Sequence, residues 1–304
     1  MHGGILHVNH IKDQIHCERA YRMGLSGKGI GVAVLDTGIF LHRDFDSRVT
    51  GFADMVNRRN FAYDDCGHGT HICGIIGGSG RMSGGRYSGI APGCNLIMVK
   101  VLDRKGNGYS SDVLAGISWV LERKEQLGIR ILNISVGACS KRGMSENSAL
   151  VKGVNRAWDA GLVVVVAAGN NGPRTMSITT PGISRKAITV GCSDDDREVL
   201  VGGNRMVDYS GRGPTAACIC KPDLVAPGCS VVSCSSRADK YTIKSGTSMS
   251  TPIVSGAVAL LLERFPDMSN KDVKLRLRES SVDIGLPRNQ QGWGMLNVEK
   301  MIGK

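Results

Sequence analysis

Five short, continuous apolar runs recur along the first two thirds of the chain, each rich in valine, isoleucine or leucine. They are 31–35, 96–102, 131–136, 162–168 and 187–190. Continuous apolar runs, as opposed to alternating apolar and polar positions, are typical of strands buried on both faces of a parallel sheet. The pattern therefore predicts a largely parallel sheet that is covered on both sides.

Segments with helical periodicity separate these runs. Residues 110–126 have apolar positions at helical spacing, with Ser110 or Ser111 as the predicted N-cap and Gly128 just beyond the end. A second such segment, 149–159, precedes Gly161. Strands that alternate with helices predict an α/β fold, a three-layer sandwich whose mostly parallel central sheet is flanked by helices. Catalytic groups in such sheets gather beyond the carboxyl ends of the strands.

Composition and charge narrow the function classes. The 304 residues are 41% apolar and contain 41 glycines, which is typical of a globular α/β protein with many tight turns, and no linker divides them. The net charge of +11 comes from scattered basic residues, a pattern that favours a solvated surface over nucleic-acid binding. We therefore expect no nucleic-acid partner, and the sequence does not indicate an oligomeric state.

The sequence has no apolar run of membrane-spanning length, and it does not begin with a charged region followed by an apolar signal core. We therefore expect no membrane partner and a cytoplasmic protein, or a secreted one if the chain is a processed mature form. The ten cysteines show no repeated metal-ligand spacing, so we expect reduced, mostly buried thiols. The pair Cys218 and Cys220 is a candidate for redox chemistry or metal binding.

The first apolar run ends in Asp36-Thr37-Gly38, a sequence that suggests an aspartic protease. An aspartic protease needs two carboxylates that share a proton, and this tripeptide occurs once. Nucleophilic acyl transfer is the alternative. It needs a hydroxyl, an imidazole that takes its proton, a carboxylate that orients the imidazole, and donors for an oxyanion.

The chain contains a candidate for each of these four groups. His68 lies among small residues at the start of an apolar helical run, whereas His71, one turn further on, is predicted to pack or to form hydrogen bonds. Ser248 precedes a long apolar segment, and Pro252 is predicted in the first turn of that helix, although a plain N-cap role is the alternative. Asn170 follows the run 162–168, where its amide can donate to an oxyanion or simply mark a turn.

Four segments together, in this order, resemble the subtilisin family of serine endopeptidases: 36–38, 67–71, 168–170 and 246–252. The order Asp, His, Ser along the chain is that of subtilisins and differs from chymotrypsin-like enzymes and α/β-hydrolases. Weaker matches extend the resemblance over 88–92, 99–103, 133–137, 221–228 and 292–297. Within the family, the sequence is most similar to bacterial subtilases that lack a signal peptide. The resemblance implies one catalytic domain over 1–304, with residues 1–25 packed on it.

The resemblance implies a role for each candidate. Ser248 would be the nucleophile, His68 the general base and then acid, and Asp36 the carboxylate that fixes the imidazole tautomer. Asn170 and the Ser248 backbone N–H would form the oxyanion hole, and the chemistry would require no cofactor. A dedicated maturation protease for one precursor and a catalytically silent binding protein of the same fold are the alternatives.

The resemblance also implies peptide or protein substrates in an extended conformation. Two backbone edges would pair with the substrate: Gly106, Asn107, Gly108 and Ser135, Val136, Gly137. Gly137 and the run Ala167, Ala168, Gly169, with Thr179 near the floor, would line a roomy pocket for large apolar side chains at P1, the residue before the scissile bond. Asp44 matches a structural calcium ligand of many relatives, although the loop 79–89 contains arginines and no carboxylate.

Overall fold

The computed structural model describes residues 8–137 and 146–303, and a parallel sheet occupies the centre of this part of the chain. The strands of the described residues are β1 Gly31–Asp36, β2 Val49–Asp54, β3 Asn95–Lys100, β4 Ile129–Ile134, β5 Val163–Ala167, β6 Ile188–Cys192, β7 Val199–Val201, β8 Asn204–Met206, β9 Leu224–Ala226, β10 Val231–Cys234 and β11 Tyr241–Lys244. Seven of them form the central sheet in the order β2-β3-β1-β4-β5-β6-β9, and every pairing in it is parallel. The pairs β7–β8 and β10–β11 are antiparallel ribbons outside it.

Helices cover both faces of this sheet. The helices of the described residues are α1 Val8–Gln14, α2 Glu18–Arg22, α3 His68–Gly77, α4 Ser110–Arg123, α5 Ala149–Asp159, α6 Thr247–Arg264, α7 Asn270–Ser280, α8 Arg288–Gln291 and α9 Val298–Ile302. Helices α3 and α6 pack together and α6 lies against β4, β5 and β6, while α4 and α5 form a second pair against β1 and β5. The predicted three-layer α/β sandwich is confirmed.

Helix α6 is apolar on all sides because it lies inside the molecule. Almost every residue from Thr247 to Leu262 is buried, and the run 253–262 is buried throughout. A helix without a polar face is stable only when neighbours surround it, here the sheet, α3 and α9. The core therefore holds the first turn of α6 rigidly beside the carboxyl ends of the strands.

The predicted helices differ from the observed ones at their ends. Helix α5 spans 149–159 as predicted, and the Ser148 side chain caps it by accepting from the Val151 N–H. The N-cap predicted at Ser110 or Ser111 is wrong, because Ser110 is already helical and the capping position is Tyr109, which makes no side-chain cap. Helix α4 also ends at Arg123, before the predicted residue 126.

The N-terminal segment packs on the rest of the molecule through buried side chains. Ile11, Ile15 and Cys17 are fully buried, and the Ile15 carbonyl accepts a hydrogen bond from the Val298 N–H. The interpretation of the whole chain as one domain stays a prediction. Over residues 8–137 and 146–303, no helix combines the length and the apolar character that crossing a bilayer requires.

Candidate functional site

Four elements bring the candidate side chains to one edge of the sheet. Asp36 is the last residue of β1, and Asn170 comes shortly after β5. His68 is the first residue of α3 and Ser248 the second residue of α6. His68, Asn170 and Ser248 line one open cleft of about 460 Å³. The structure therefore brings together all four residues that the sequence indicated, with Asp36 buried behind His68.

A buried carboxylate holds the imidazole. The Asp36 side chain is inaccessible to solvent, and its two oxygens lie 2.8 and 2.9 Å from His68 Nδ1. The Thr37 N–H donates to the same carboxylate at 2.7 Å. Because Nδ1 faces a carboxylate, it carries the proton in neutral histidine, and Nε2 is left as the acceptor. The His68 ring is 23% exposed and reaches the cleft.

Asp64 holds the segments that carry Asp36 and His68 together through hydrogen bonds. The sequence motifs did not indicate this role. Its carboxylate accepts five hydrogen bonds, from Thr37 Oγ1 (2.9 Å), Cys66 N (3.1 Å), Gly67 N (2.8 Å), Thr70 N (2.9 Å) and Thr70 Oγ1 (2.6 Å). Asp64 therefore ties the residue after Asp36 to the first turn of α3. An acid just before a helix N-terminus is favoured by the helix dipole, and that was the only signal available in the sequence.

Lys100 makes a second connection beneath the site. Its ammonium group is fully buried at the end of β3 and donates to the carbonyls of Thr37 (2.6 Å) and Leu102 (2.8 Å) and to the Asp65 carboxylate (2.7 Å). Three oxygens around one buried ammonium satisfy its three donors. This contact joins the end of β1 to the loop that precedes His68.

The hydroxyl of Ser248 lies at a helix N-terminus, and its hydrogen bond goes to a backbone carbonyl. Its Oγ donates to the Ser135 carbonyl at 2.7 Å. The N-cap is Gly246, with a φ of 140° that side chains rarely adopt, so the N-cap alternative for Ser248 is wrong. Pro252 is the sixth residue of α6, not part of its first turn as predicted. The Ser248 N–H is among the first four of the helix, which have no intrahelical partner.

Thr247 fixes the amide of Asn170. Asn170 Oδ1 accepts from both the backbone N–H and the hydroxyl of Thr247, each at 3.0 Å. A backbone N–H can only donate, so the oxygen of the amide must face Thr247 and the NH₂ group must point elsewhere. The Asn170 NH₂ and the Ser248 N–H thus remain as donors beside the cleft.

Two backbone segments flank the cleft. Ser135, Val136 and Gly137 follow β4 and line it together with Gly106. Asn107 and Gly108 line instead a neighbouring apolar pocket of about 200 Å³. That second pocket, which motif reasoning missed, is lined mainly by aliphatic side chains: Leu102, Val113, Ile134, Val136, Leu150, Val154 and Pro181.

Glycines leave the space in front of Thr179. A Cβ on Gly137 would lie 2.3 Å from Thr179 Oγ1, and one on Gly169, whose φ is 93°, would lie 2.4 Å from Thr179 Cγ2. Ala168 does not line the cleft as predicted. It is fully buried, and its carbonyl accepts from the Thr179 N–H at 2.9 Å. Ala167, which was also predicted, does line the cleft, and Ala168 does not, because successive residues of an extended chain point to opposite faces.

The surroundings of Asp44 do not fit calcium. Asp44 Oδ1 accepts from the Met82 N–H at 2.9 Å, and Oδ2 accepts from the Tyr241 hydroxyl at 2.8 Å. Among the described residues, the histidine, cysteine and acidic side chains that cluster with it are His42 and Cys234, which offer a nitrogen and a sulfur. Calcium takes about six to eight oxygen ligands. The side chains that cluster with Asp44 therefore add no oxygen ligand for calcium.

The remaining histidine and cysteine candidates differ in their surroundings. His71 is fully buried with Nε2 3.1 Å from the Val231 carbonyl, and burial lowers its pKa from 6.5 to about 3. Cys66 is partly buried, and that burial raises the pKa of its thiol. Cys218 and Cys220 are both exposed, and Cys139 lies outside the described residues.

Comparisons with known proteins agree with this geometry. The sequence pattern of the Subtilase family matches residues 27–294. Serine protease AprX of Bacillus subtilis is 42% identical over 94% of this chain and 70% of its own length. Subtilisin Savinase of Lederbergia lenta is 34% identical over 94% of this chain and 95% of its own.

Solved structures give the same result. The structure titled Sphericase superimposes with a TM-score of 0.78 at 30% identity, covering 98% of this chain and all of its own. A cold adapted subtilisin-like serine proteinase gives a TM-score of 0.73 at 28% identity over 90% of each chain. The matched pattern takes in every element that supplies a side chain to the cleft, and the chain belongs to the subtilase family of serine proteases.

Proposed function

We propose that this protein is an endopeptidase that cleaves peptide bonds through an acyl-enzyme formed on Ser248. The observation that carries the proposal is the buried Asp36 carboxylate on His68 Nδ1, which leaves His68 Nε2 in a cleft that also holds Ser248 and Asn170. A hydroxyl, a base and an oriented amide donor in one cleft are the parts that acyl transfer needs.

The Ser248 hydroxyl has to leave the Ser135 carbonyl before it can react. In the proposed mechanism, an extended substrate pairs along residues 135–137 and its backbone N–H takes over that carbonyl. The Ser248 Oγ–H then turns to His68 Nε2, which takes the proton as Oγ attacks the scissile carbonyl. His68 later returns the proton to the leaving amine, and Asp36 stabilises the imidazolium meanwhile.

The developing oxyanion would be held by two donors that need no rearrangement. The Asn170 NH₂ is kept available because Thr247 engages the amide oxygen, and the Ser248 N–H lies in the first turn of α6. The helix dipole adds partial positive charge at that end. Donors that are already oriented stabilise the transition state without a cost of reorganisation.

Substrate preference follows from the walls of the cleft. Glycine at 137 and 169 keeps the space in front of Thr179 open, so we expect large apolar side chains at P1. Lys105 and Lys244 also line the cleft. These two ammonium groups disfavour basic substrate side chains.

Replacement of Ser248 tests the proposal directly. Ser248→Ala should lower turnover of a peptide substrate by about 10⁴-fold or more and abolish labelling by a fluorophosphonate probe. Ser250→Ala is the matched control, since it removes a buried hydroxyl two residues further along α6 that is not exposed to the cleft. The control should keep its labelling. Undiminished labelling of Ser248→Ala would mean that another residue is the nucleophile.

A further inference from the structure

We propose that Cys192, Asp194 and Cys229 form a binding site for a thiophilic divalent cation such as Zn²⁺. Cys192 is the last residue of β6, and Cys229 follows β9, the neighbouring parallel strand. The two cysteines therefore meet beyond the carboxyl ends of adjacent strands. The site is separate from the His68 and Ser248 cleft and goes beyond the proposed peptidase function.

The three ligand atoms already lie close together. One sulfur from each cysteine and one carboxylate oxygen of Asp194 are all within 4.8 Å of one another. In a tetrahedral zinc site with Zn–S bonds of about 2.3 Å, two sulfurs are about 3.7 Å apart. Contraction by about 1 Å at most would bring the ligands to bonding distance.

One oxygen of Asp194 has no partner in this arrangement. Asp194 Oδ1 accepts from the Gly228 N–H at 2.7 Å, the Cys229 N–H at 3.2 Å and the Cys192 thiol at 3.1 Å. Asp194 Oδ2 is buried, and within the described residues it accepts no hydrogen bond. Among those residues no lysine, arginine or histidine forms an ion pair with it either. The carboxylate whose Oδ1 lies 3.1 Å from Cys192 Sγ thus has a second, buried oxygen without a partner, an acceptor that a cation would satisfy.

Tyr209 completes the surroundings. Its hydroxyl lies 3.2 Å from Cys192 Sγ and 3.1 Å from Cys229 Sγ, and its side chain is fully buried. On metal binding the two thiols release their protons to solvent, and the two thiolates and the carboxylate coordinate the ion. The Tyr209 O–H can then donate to a thiolate, as groups next to metal ligands commonly do.

The sulfur ligands select the class of metal. Thiolates favour zinc and softer ions, whereas calcium and magnesium take oxygen ligands. Both cysteines are fully buried, whereas Asp194 as a residue is partly exposed, so the cluster lies close to the surface on the Asp194 side. The other cluster of this kind, His42, Asp44 and Cys234, is a weaker candidate, because both Asp44 oxygens already accept hydrogen bonds.

The site lies directly behind the turn that carries Ser248. The Gly228 carbonyl accepts from the Gly246 N–H at 3.0 Å, and Gly246 is the N-cap of α6. A Cβ on Gly228 would lie 2.9 Å from Cys192 Sγ and 2.4 Å from Ser250 Oγ. A bound ion would therefore brace β6, β9 and the first turn of α6 against one another.

Metal titration of the full chain tests the proposal. The reduced, chelator-treated protein is inactivated with a fluorophosphonate to prevent autolysis and titrated with Co²⁺, whose thiolate charge-transfer band reports sulfur ligation. Zn²⁺ stoichiometry is then measured by equilibrium dialysis. We expect one equivalent of each ion, a charge-transfer band with Co²⁺, and at least ten-fold weaker binding in Cys229→Ser.

Matched variants separate this site from the other thiols. The double variant Cys218→Ser/Cys220→Ser removes the exposed pair, and Cys234→Ser removes the sulfur of the other cluster; both should keep the band. Cys192→Ala provides a second loss-of-site variant should Cys229→Ser not fold, with circular dichroism as the check. The proposal is overturned if the folded wild type gives no band, or if the band survives Cys192→Ala and disappears in the double variant.

Discussion

Replacement of Asp64 by asparagine should damage both stability and turnover, because the amide can satisfy only one side of the network around this carboxylate. Oδ1 faces three donors, from Thr37, Cys66 and Gly67. Oδ2 faces the N–H and hydroxyl of Thr70. The least damaging orientation of asparagine keeps its oxygen at the Oδ1 position and turns its NH₂ group toward Thr70. The Thr70 N–H then faces another donor and loses its hydrogen bond.

The expected loss can be worked out from these contacts. A hydrogen bond to a charged group contributes about 1.5–3 kcal/mol, and this change removes one such bond outright. Loss of a negative charge at the N-terminus of α3 costs a further ~0.3–1 kcal/mol. The free energy of unfolding should therefore fall by about 2–4 kcal/mol, which lowers the melting temperature by about 3–6 °C in a chain of 304 residues.

Stability is best measured in a Ser248→Ala background, which prevents self-digestion during heating. In the otherwise unchanged protein, Asp64→Asn should lower kcat about 10- to 100-fold with little change in KM, because the His68 ring is displaced and substrate contacts are not. Asp46→Asn is the control, since its exposed carboxylate pairs with exposed Arg81, a contact worth about 0–1 kcal/mol. A melting temperature and a kcat equal to those of this control would refute the positioning role of Asp64.

Three further predictions follow from other contacts. Asn170→Ala should lower kcat on a peptide p-nitroanilide by about 10²–10³-fold with KM nearly unchanged; equal effects on both constants would contradict an oxyanion role. Gly137→Ala should lower kcat/KM for a P1 phenylalanine substrate by about 10- to 200-fold and much less for P1 alanine, and adding Thr179→Ala should restore part of the loss. Burial lowers the pKa of His71 to about 3, so between pH 6.5 and 3 the unfolded chain binds a proton that the folded one does not. As the pH falls through this range, His71 should therefore lower the free energy of unfolding by up to about 1.4 kcal/mol per pH unit. His71→Gln in the Ser248→Ala background should flatten the plot of melting temperature against pH. An unchanged slope of that plot would exclude His71 as the cause.

The fold could be predicted where burial leaves a strong pattern in the sequence. β1 and β5 are apolar at nearly every position because both of their faces are covered, and both were predicted. β2 was not predicted, because it lies at the sheet edge with mostly half-exposed side chains. β9 has only three residues, too few for any period. Helix ends were the weakest point, as at Tyr109, where no capping side chain marks the boundary.

The candidate site could be predicted where the chemistry resides in short motifs. Asp36, His68, Asn170 and Ser248 were identified from local sequence and the resemblance. Asp64, Lys100 and Thr247 were not, because each acts through contacts between segments that are far apart in the chain. The hydrogen bond from Ser248 to Ser135 depends on a side-chain rotamer, and no sequence pattern encodes it.

The place of β1 in the sheet bears on the order in which the site can assemble during synthesis of the chain. β1 is the first strand of the chain, yet its two neighbours, β3 and β4, are made later, and β4 ends at Ile134. The helix that carries Ser248 comes later still. A chain that is still being synthesised therefore holds the proposed acid and base on an unfinished sheet with no nucleophile beside them. Helix α6 also packs against α9, near the end of the described chain, so the helix that carries Ser248 gains its full packing only when nearly all of that chain has been made.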